Sequence, residues 1–255
     1  MKTDRFDIKN NKYLVTGASS GIGRATALLL AERGADLILA DIDEEGLAET
    51  AKFCITETKL LPLDLSDTDT IATSITLAVK DFGKLHGIVH LAGVPYISPL
   101  KAITLERLRK TFDINTFAAL QLAKAFCNKN VHEQTEAGSS IVFISSIYAS
   151  VGSSSNSGYA MSKAAIEGLT KALAIELAPR KIRVNCIAPG FVKTPMDKNI
   201  STYFDSGHED LVVRLHPLGL GEPLDVACAV AFLFSDAAKW ITGTIIHVDG
   251  GFTAQ

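Results

Sequence analysis

The chain has 255 residues, enough for one large α/β domain and too few for two generous ones. With 47% hydrophobic and 21% charged residues it can bury a substantial core, which excludes a disordered chain. A formal net charge of -3 gives no general pull toward nucleic acid or an acidic membrane, and neither is expected as a partner.

In chain order, residues 1–13 are polar and charged, without the apolar run of a signal peptide. Lys12–Thr16 is a short strand ending in a glycine-rich turn, and Ile22–Arg33 is a helix with Gly34 as its stop signal. Asp36–Ala40 is a continuous apolar strand, Glu44–Phe53 a helix and Leu60–Leu63 another short strand. Asp67–Phe82 is an amphipathic helix with Ile71, Ile75, Ala78 and Val79 at helical spacing, followed by a strand at Gly87–Leu91. Thr104–Asn130 is predicted as one long helix that opens on Thr104 and Arg107 without a full capping box. Ser140–Ser145 is a strand and Tyr159–Ala178 a helix; Arg183–Ile187 and Ile245–Val248 are late strands with a helix at Leu224–Phe234 between them.

Strands buried on both faces and separated by helices predict a doubly wound parallel sheet of about seven strands, with right-handed crossovers and helices on both faces. No repeat or linker divides the chain, so one domain over 1–255 is the simplest partition. The least regular stretch, 193–221, contains Pro195, Gly207, Pro217, Gly219 and Gly221 and is expected to be a lid over a site. No stretch reaches the ~18 apolar residues of a membrane span, so a soluble, cytoplasmic protein is expected. Cysteines 54, 127, 186 and 228 form no C-x-x-C pair and have no histidines at ligand spacing, which points to free thiols and no metal.

The first strand runs into Thr16-Gly17-Ala18-Ser19-Ser20-Gly21-Ile22-Gly23. Glycines 17, 21 and 23 let the backbone turn tightly and approach a pyrophosphate. The helix that follows points its free N–H groups and positive dipole end at the anion. The spacing is G-x-x-x-G-x-G, and its place between a strand and a helix points to a dinucleotide. An acidic residue should then close the second strand to hold the adenosine ribose, and Asp41 stands there. Its carboxylate can accept from both ribose hydroxyls and would repel a 2′-phosphate. No basic residue immediately follows it and position 20 is serine, so NAD is favoured over NADP. The competing role for Asp41 is a helix N-cap, which Asp43 suits better; Arg24 lies close enough in sequence to reach toward a phosphate.

Tyr159 and Lys163 stand four residues apart, one turn along one helix face. A free tyrosine, with a pKa of ~10, is a poor acid–base at neutral pH, and a fixed cation nearby favours its phenolate. The pair suits proton donation to a carbonyl or proton removal from an alcohol. Ser145 and Ser146 end the preceding strand, and Asn115 lies in the first half of the long helix.

This ordered set resembles the short-chain dehydrogenase/reductase family from Lys12 to Phe252: TGASSGIG, Asp64-Leu65, Asn115, Ser146, Tyr159, Lys163, Pro189-Gly190 with Thr194, and ITG…HVDGG between Ile241 and Gly251. The resemblance implies a single-domain Rossmann fold and hydride transfer between a nicotinamide cofactor and an alcohol or carbonyl carbon. It implies Tyr159 as acid–base and Lys163 as the group that holds the nicotinamide ribose and depresses the Tyr159 pKa. Ser146 would bond the substrate oxygen, with Ser145 the weaker candidate, and Asn115 would bind a water of a proton relay. Gly17, Ser19, Ser20, Gly21, Ile22, Gly23 and Asp41 would hold the dinucleotide, Asp64 and Leu65 the adenine, and Ala92 and Gly93 the adenosine ribose. Pro189, Gly190, Val192 and Thr194 would line the nicotinamide pocket. The family usually reads N-N-A-G after the fourth strand; here it is His90-Leu91-Ala92-Gly93, with His90 expected as a structural substitute.

Substrate contacts are expected from 147–156 and 195–215, Tyr148 and Met196 foremost, then apolar Val151, Ile200, Tyr203 and Phe204 and polar His208, Arg214 and His216. Each of these equally suits ordinary packing or solvated surface. A small secondary alcohol, sugar or hydroxy acid is favoured. The alternative is a 3-oxoacyl-[acyl-carrier-protein] reductase using NADPH, which Asp41 and the sparse positive charge of Cys127–Glu136 oppose. A non-catalytic NAD-binding sensor or scaffold is the alternative of another class, and would not need Asn115, Ser146, Tyr159 and Lys163 together. The resemblance also implies a homotetramer built on the two long helices, with Phe117, Leu120, Phe126, Ile166 and Leu169 suited either to that face or to the sheet.

Overall fold

The strands alternate side chains to two faces, and both faces are buried. In β1 (Lys12–Thr16), Tyr13 and Val15 join one core while Leu14 joins the other; in β2 (Asp36–Asp41), Leu37 and Leu39 oppose Ile38 and Ala40. This computed structural model describes residues 4–136, 138–196 and 211–255. The remaining strands are β3 (Thr58–Pro62), β4 (Gly87–His90), β5 (Ser139–Ile144), β6 (Ile182–Pro189) and β7 (Ile245–Val248). Among the described residues, seven strands form one sheet, all pairs parallel, in the order β3-β2-β1-β4-β5-β6-β7.

One face is covered by α3 (Ile71–Phe82), α5 (Ala118–Phe126) and α6 (Ser157–Leu177), whose Ile75, Leu122, Phe126, Ile166 and Leu173 pack over Leu14 and Ile38. The other is covered by α1 (Gly21–Glu32), α2 (Glu44–Ala51) and α7 (Pro223–Phe234). There Phe234 stacks on Tyr13, with ring centroids 4.2 Å apart and planes 4° from parallel. The chain runs outward from β1 to β3 and then returns to the far side of β1 for β4. Order reverses at that point, and a crevice opens at the carboxyl ends of β1 and β4, where Thr16 sits in register with His90.

The stretch predicted as a single helix over Thr104–Asn130 is broken. It consists of α4 (Leu105–Phe112), a π turn at Asp113–Phe117 and then α5. Thr104 caps α4 by accepting from the Arg107 amide. Helix α5 stops short of Asn130 because the Asn128 side chain accepts from the Asn130 amide at 2.9 Å, while the Leu85 amide draws the Val131 carbonyl onto the sheet at 2.7 Å. Helix α3 starts at Ile71, later than the predicted Asp67, because Thr70 folds back onto the Asp67 carbonyl. Phe126 and Ile166, considered for a subunit face, are consumed by the chain's own core, and Leu169 packs against it; Phe117 and Leu120 are exposed. No helix among the described residues is long and apolar enough to cross a membrane. All four cysteines are free.

Candidate active site

Two hollows meet over the carboxyl ends of the strands, sharing Ile22, Leu91, Gly93 and Met196 as a common wall. The first is built on the glycine turn. Gly17 has φ +70, and a Cβ there would stand 2.7 Å from the Ala92 nitrogen; one on Gly23 would stand 1.9 Å from the Gly17 oxygen. Only bare backbone lets the start of α1 approach both strand ends this closely. Ser20, in the N-cap position of α1, makes no side-chain cap bond, so the first amides of the helix face the hollow. Gly17, Ser19, Ser20, Gly21, Ile22, Gly23, Asp41, Asp64, Leu65, Ala92, Gly93 and Thr194 all line it. The donor set and its absent Cβ atoms fit a pyrophosphate-bearing dinucleotide.

Asp41 is fixed in place: its Oδ2 accepts from the Ser19 amide at 3.2 Å and its Oδ1 from the Asp43 amide at 3.1 Å. Asp43, by contrast, caps α2 by accepting from the Gly46 amide at 3.0 Å. The capping of α2 thus falls to Asp43 and not to Asp41. Arg24 does not line the hollow; its guanidinium donates to Thr50 Oγ1 at 3.0 Å and to the Ser19 carbonyl, tying α1 to α2. Asp64 is held below its ordinary carboxyl value, chiefly by the Ser66 hydroxyl at 2.7 Å.

The second hollow lies where β5 ends and α6 begins, and Ser146, Tyr148, Tyr159, Lys163, Pro189, Gly190, Val192 and Met196 line it. The two adjacent serines diverge. The Ser145 hydroxyl turns inward to the Glu167 carboxylate at 2.9 Å and the Lys163 carbonyl at 3.2 Å. The Ser146 hydroxyl instead accepts from the Tyr148 amide at 3.3 Å and lines the hollow with Tyr159, whose phenol it pulls down. The Lys163 ammonium is buried, donates to the Ile144 carbonyl at 3.0 Å, and lies 5.7 Å from the centre of the Tyr159 ring.

The proton balance of this pair differs from the sequence expectation. Burial pushes the Tyr159 phenol up to about 12, and the group that pulls it back is Ser146 rather than Lys163. Burial likewise pulls Lys163 down to about 8. Desolvation of both groups outweighs their mutual attraction, so at neutral pH the phenol is a neutral acid. Asn115 stands behind the hollow on the π turn. Its Oδ1 accepts from the Val94 amide at 2.8 Å, and its Nδ2 donates to Ser162 Oγ at 3.0 Å and the Val94 carbonyl at 3.1 Å. The side chain is engaged by protein groups on both ends.

A family model described as enoyl-(acyl carrier protein) reductase matches residues 17–253. The chain belongs to the short-chain dehydrogenase/reductase family. It is 34% identical to the cyclohexanol dehydrogenase of an Acinetobacter species over 96% of each chain. It is 35% identical to the 3-oxoacyl-[acyl-carrier-protein] reductase of Thermotoga maritima, over 93% of this chain and 96% of that one. A solved structure from Beutenbergia cavernae, assigned as an NAD(P)-dependent gluconate 5-dehydrogenase and holding NADP at low occupancy, superposes with a TM-score of 0.90 at 30% identity, over 99% of this chain and 100% of that one. The chain is thus an NAD(P)-dependent oxidoreductase acting on CH–OH groups.

In this short-chain dehydrogenase/reductase the wall around Tyr159 is mostly apolar: Pro95, Ile97, Ile144, Ile147, Phe191 and Val192 join Tyr148 and Met196, with Ser153, Ser154 and Asn156 as polar members beside the two strand-end serines. Among the described lining residues Lys163 is the charged one. Pro95, Ile97 and Phe191 were missed by sequence reasoning, since the irregular segments that carry them have no periodicity to reveal a buried face. Lys110, on the rim of the dinucleotide hollow, was missed because a lysine on an amphipathic helix reads as solvated. His216 lines neither hollow. It is buried, its Nδ1 donates to the Val212 carbonyl at 2.7 Å, and its Nε2 accepts from the Phe191 amide at 3.1 Å. Arg214 is not among the residues lining either hollow. The ends of the expected lid are pinned together by a bridge between Val192 and Gly221; Ile200, Tyr203, Phe204 and His208 lie outside the described residues.

Proposed function

We propose that the protein is an NAD(H)-dependent dehydrogenase of an uncharged alicyclic secondary alcohol, interconverting it with the ketone. The observation that carries this reading is the hydroxyl pair of Ser146 and Tyr159 at the base of an apolar hollow, with the buried Lys163 ammonium one turn further along α6. When bound, the nicotinamide supplies the hydride acceptor or donor. The chain's own groups manage the proton. In ketone reduction the neutral phenol of Tyr159 donates to the carbonyl oxygen while the Ser146 hydroxyl donates a second hydrogen bond to the developing charge. In alcohol oxidation Tyr159 must first lose its own proton; the Lys163 ammonium stabilises the resulting phenolate, which takes the hydroxyl proton and returns to the neutral phenol. Asn115 braces Val94 and the Ser162 hydroxyl of α6 against each other; a water held at this turn would use backbone groups freed by the π geometry.

Substrate class follows from the wall. A carboxylate such as gluconate, or a phosphopantetheine arm, needs polar or charged partners once desolvated. Beyond Tyr159 and Lys163, which serve the reaction, the described lining offers apolar side chains, the Asn156 amide and the hydroxyls of serines 145, 146, 153 and 154, and no further charge. Similarity to a cyclohexanol dehydrogenase supports the same choice. NAD(H) is favoured by Asp41, whose fixed carboxylate faces the adenosine side. A homotetramer is inferred from the exposed Phe117, Leu120 and Met161 on α5 and α6 and the turn between α4 and α5, to be checked by light scattering.

The test is steady-state turnover of cyclohexanol with NAD beside gluconate with NAD and a 3-oxoacyl thioester with NADPH. Cyclohexanol should give the highest kcat/KM. Tyr159→Phe should lower kcat by roughly 10²–10⁴-fold with NADH affinity largely kept. Wild-type rates in that variant would overturn the mechanism, and preference for the thioester with NADPH would overturn the substrate and cofactor assignments.

A further inference from the structure

His90 replaces an asparagine of the family pattern and is the least exposed histidine among the described residues, yet no step above uses it. Its Nε2 lies 3.1 Å from the Ile114 carbonyl, and its Nδ1 lies 2.9 Å from Thr16 Oγ1. A carbonyl only accepts, so Nε2 must carry the hydrogen. A neutral imidazole has one N–H, so Nδ1 is the acceptor and the Thr16 hydroxyl must donate to it. Thr16 Oγ1 is then free to accept the amides of Leu91 at 3.1 Å and Ala92 at 3.3 Å. One direction of donation runs through the whole chain, from the Leu91 and Ala92 amides to Thr16, His90 and Ile114. A protonated ring would break it, because Nδ1–H would face a hydroxyl that already accepts two amides. Burial, reinforced by the Lys163 ammonium, holds His90 neutral by pulling it down to about 3.

The two ends of this chain reach different parts of the site, although Leu91, Ala92 and Ile114 all line the dinucleotide hollow. Leu91 and Ala92 belong to the floor of the dinucleotide hollow. Ile114 is on the π turn, one residue before Asn115, whose side chain grips Val94 and Ser162 beside Lys163. We propose that His90 is a positioning residue that fixes the dinucleotide floor to the π turn carrying Asn115, so that cofactor and reacting groups are held at one spacing. This rests on the functional reading above.

The two ring nitrogens can be tested separately. The amide oxygen of asparagine stands where Nδ1 stands, and the amide nitrogen of glutamine where Nε2 stands. His90→Asn therefore keeps the Thr16 half and loses the Ile114 half; His90→Gln does the opposite. His90→Asn should lose about tenfold in kcat with less effect on the NADH Kd, and His90→Gln should lose about tenfold in NADH affinity with less effect on kcat. Amide exchange of Val94, which Asn115 holds, should quicken in His90→Asn and stay slow in His90→Gln. Thr16→Val, which cuts the first half from the other side, should match His90→Gln and serves if the His90 variants do not fold. Opposite splits support the proposal. Equal losses in both variants, or a change in Tm alone with kcat, Kd and Val94 exchange as in wild type, overturn it. A wild-type protein that binds NADH without turning over any alcohol refutes the functional reading, and the Kd and exchange readouts then decide the role of His90 without turnover.

Discussion

Replacing Asp41 by asparagine should shift cofactor choice toward NADPH. The carboxylate is held by the amides of Ser19 and Asp43 and lines the hollow beside Ile42. It cannot swing aside without leaving an amide unpaired. If Asp41 holds the adenosine ribose as proposed, a 2′-phosphate about 4 Å from its carboxylate would be repelled by roughly 4 kcal/mol at an effective dielectric of about 20. Solvent and salt at the half-buried site reduce this to about 2–4 kcal/mol, or roughly 30- to 1000-fold in relative affinity. Asp41→Asn removes the charge and keeps one oxygen as an acceptor; the amide that loses its partner costs about 1 kcal/mol, and Asp43 still caps α2, so the fold should hold. The assay is kcat/KM for NADPH against NADH in ketone reduction, at fixed ionic strength, with Tm as a control. The ratio should rise by at least about 30-fold. A change under about threefold with an unaltered Tm, or a wild-type protein that already prefers NADPH, would refute the electrostatic reasoning.

The two serines should separate cleanly. Ser146→Ala should cost about 10²-fold in kcat, whereas Ser145→Ala, which removes the Glu167 contact, should cost about 1 kcal/mol of stability and little kcat; equal kinetic losses would reverse the assignment. Gly23→Ala places a methyl 1.9 Å from the Gly17 oxygen and should abolish saturable NADH binding by calorimetry; wild-type affinity would mean that α1 does not pack as described. Stability should fall in acid. The unfolded chain protonates His90 near 6.5 while the folded chain resists down to about 3, so the contribution is complete above about 6.5 and is lost as pH drops toward 3. The full difference is at most about 5 kcal/mol at 1.36 kcal/mol per pH unit. Urea midpoints at pH 7 and 4.5 should differ more in wild type than in His90→Asn, and identical differences would remove His90 as the cause.

The features legible in the sequence are those that demand a particular residue. Glycines 17, 21 and 23, the aspartate closing β2, and the phenol and ammonium one turn apart are each required by a specific geometry, and each lies in one of the two hollows. The alternation of β1 and β2 likewise left little choice about a sheet covered on both faces. The π turn was not legible, because Asp113-Ile114-Asn115-Thr116-Phe117 carries no helix breaker and the extra residue is absorbed by tertiary bonds of Asn115 and Thr116 to α6. The protonation of Tyr159 was not legible either: residue spacing conveys the presence of Lys163 but not the desolvation that raises the phenol. His216 looked like a polar lid residue, and only its bonds to Val212 and Phe191 reveal a brace under the loop that follows β6.

The pairing of β1 with β4 has a consequence for how the molecule comes into being. Thr16 and His90 touch across 74 residues of sequence. On the ribosome, the glycine turn therefore emerges long before the strand that closes beneath it, and the wall around Tyr159 waits further for Phe191 and Met196. Distant pairings of this kind make for slow folding, with strand edges bare in the meantime. A nicotinamide dinucleotide has no complete seat until that late stage, so it can protect the finished protein from unfolding but cannot template the nascent chain.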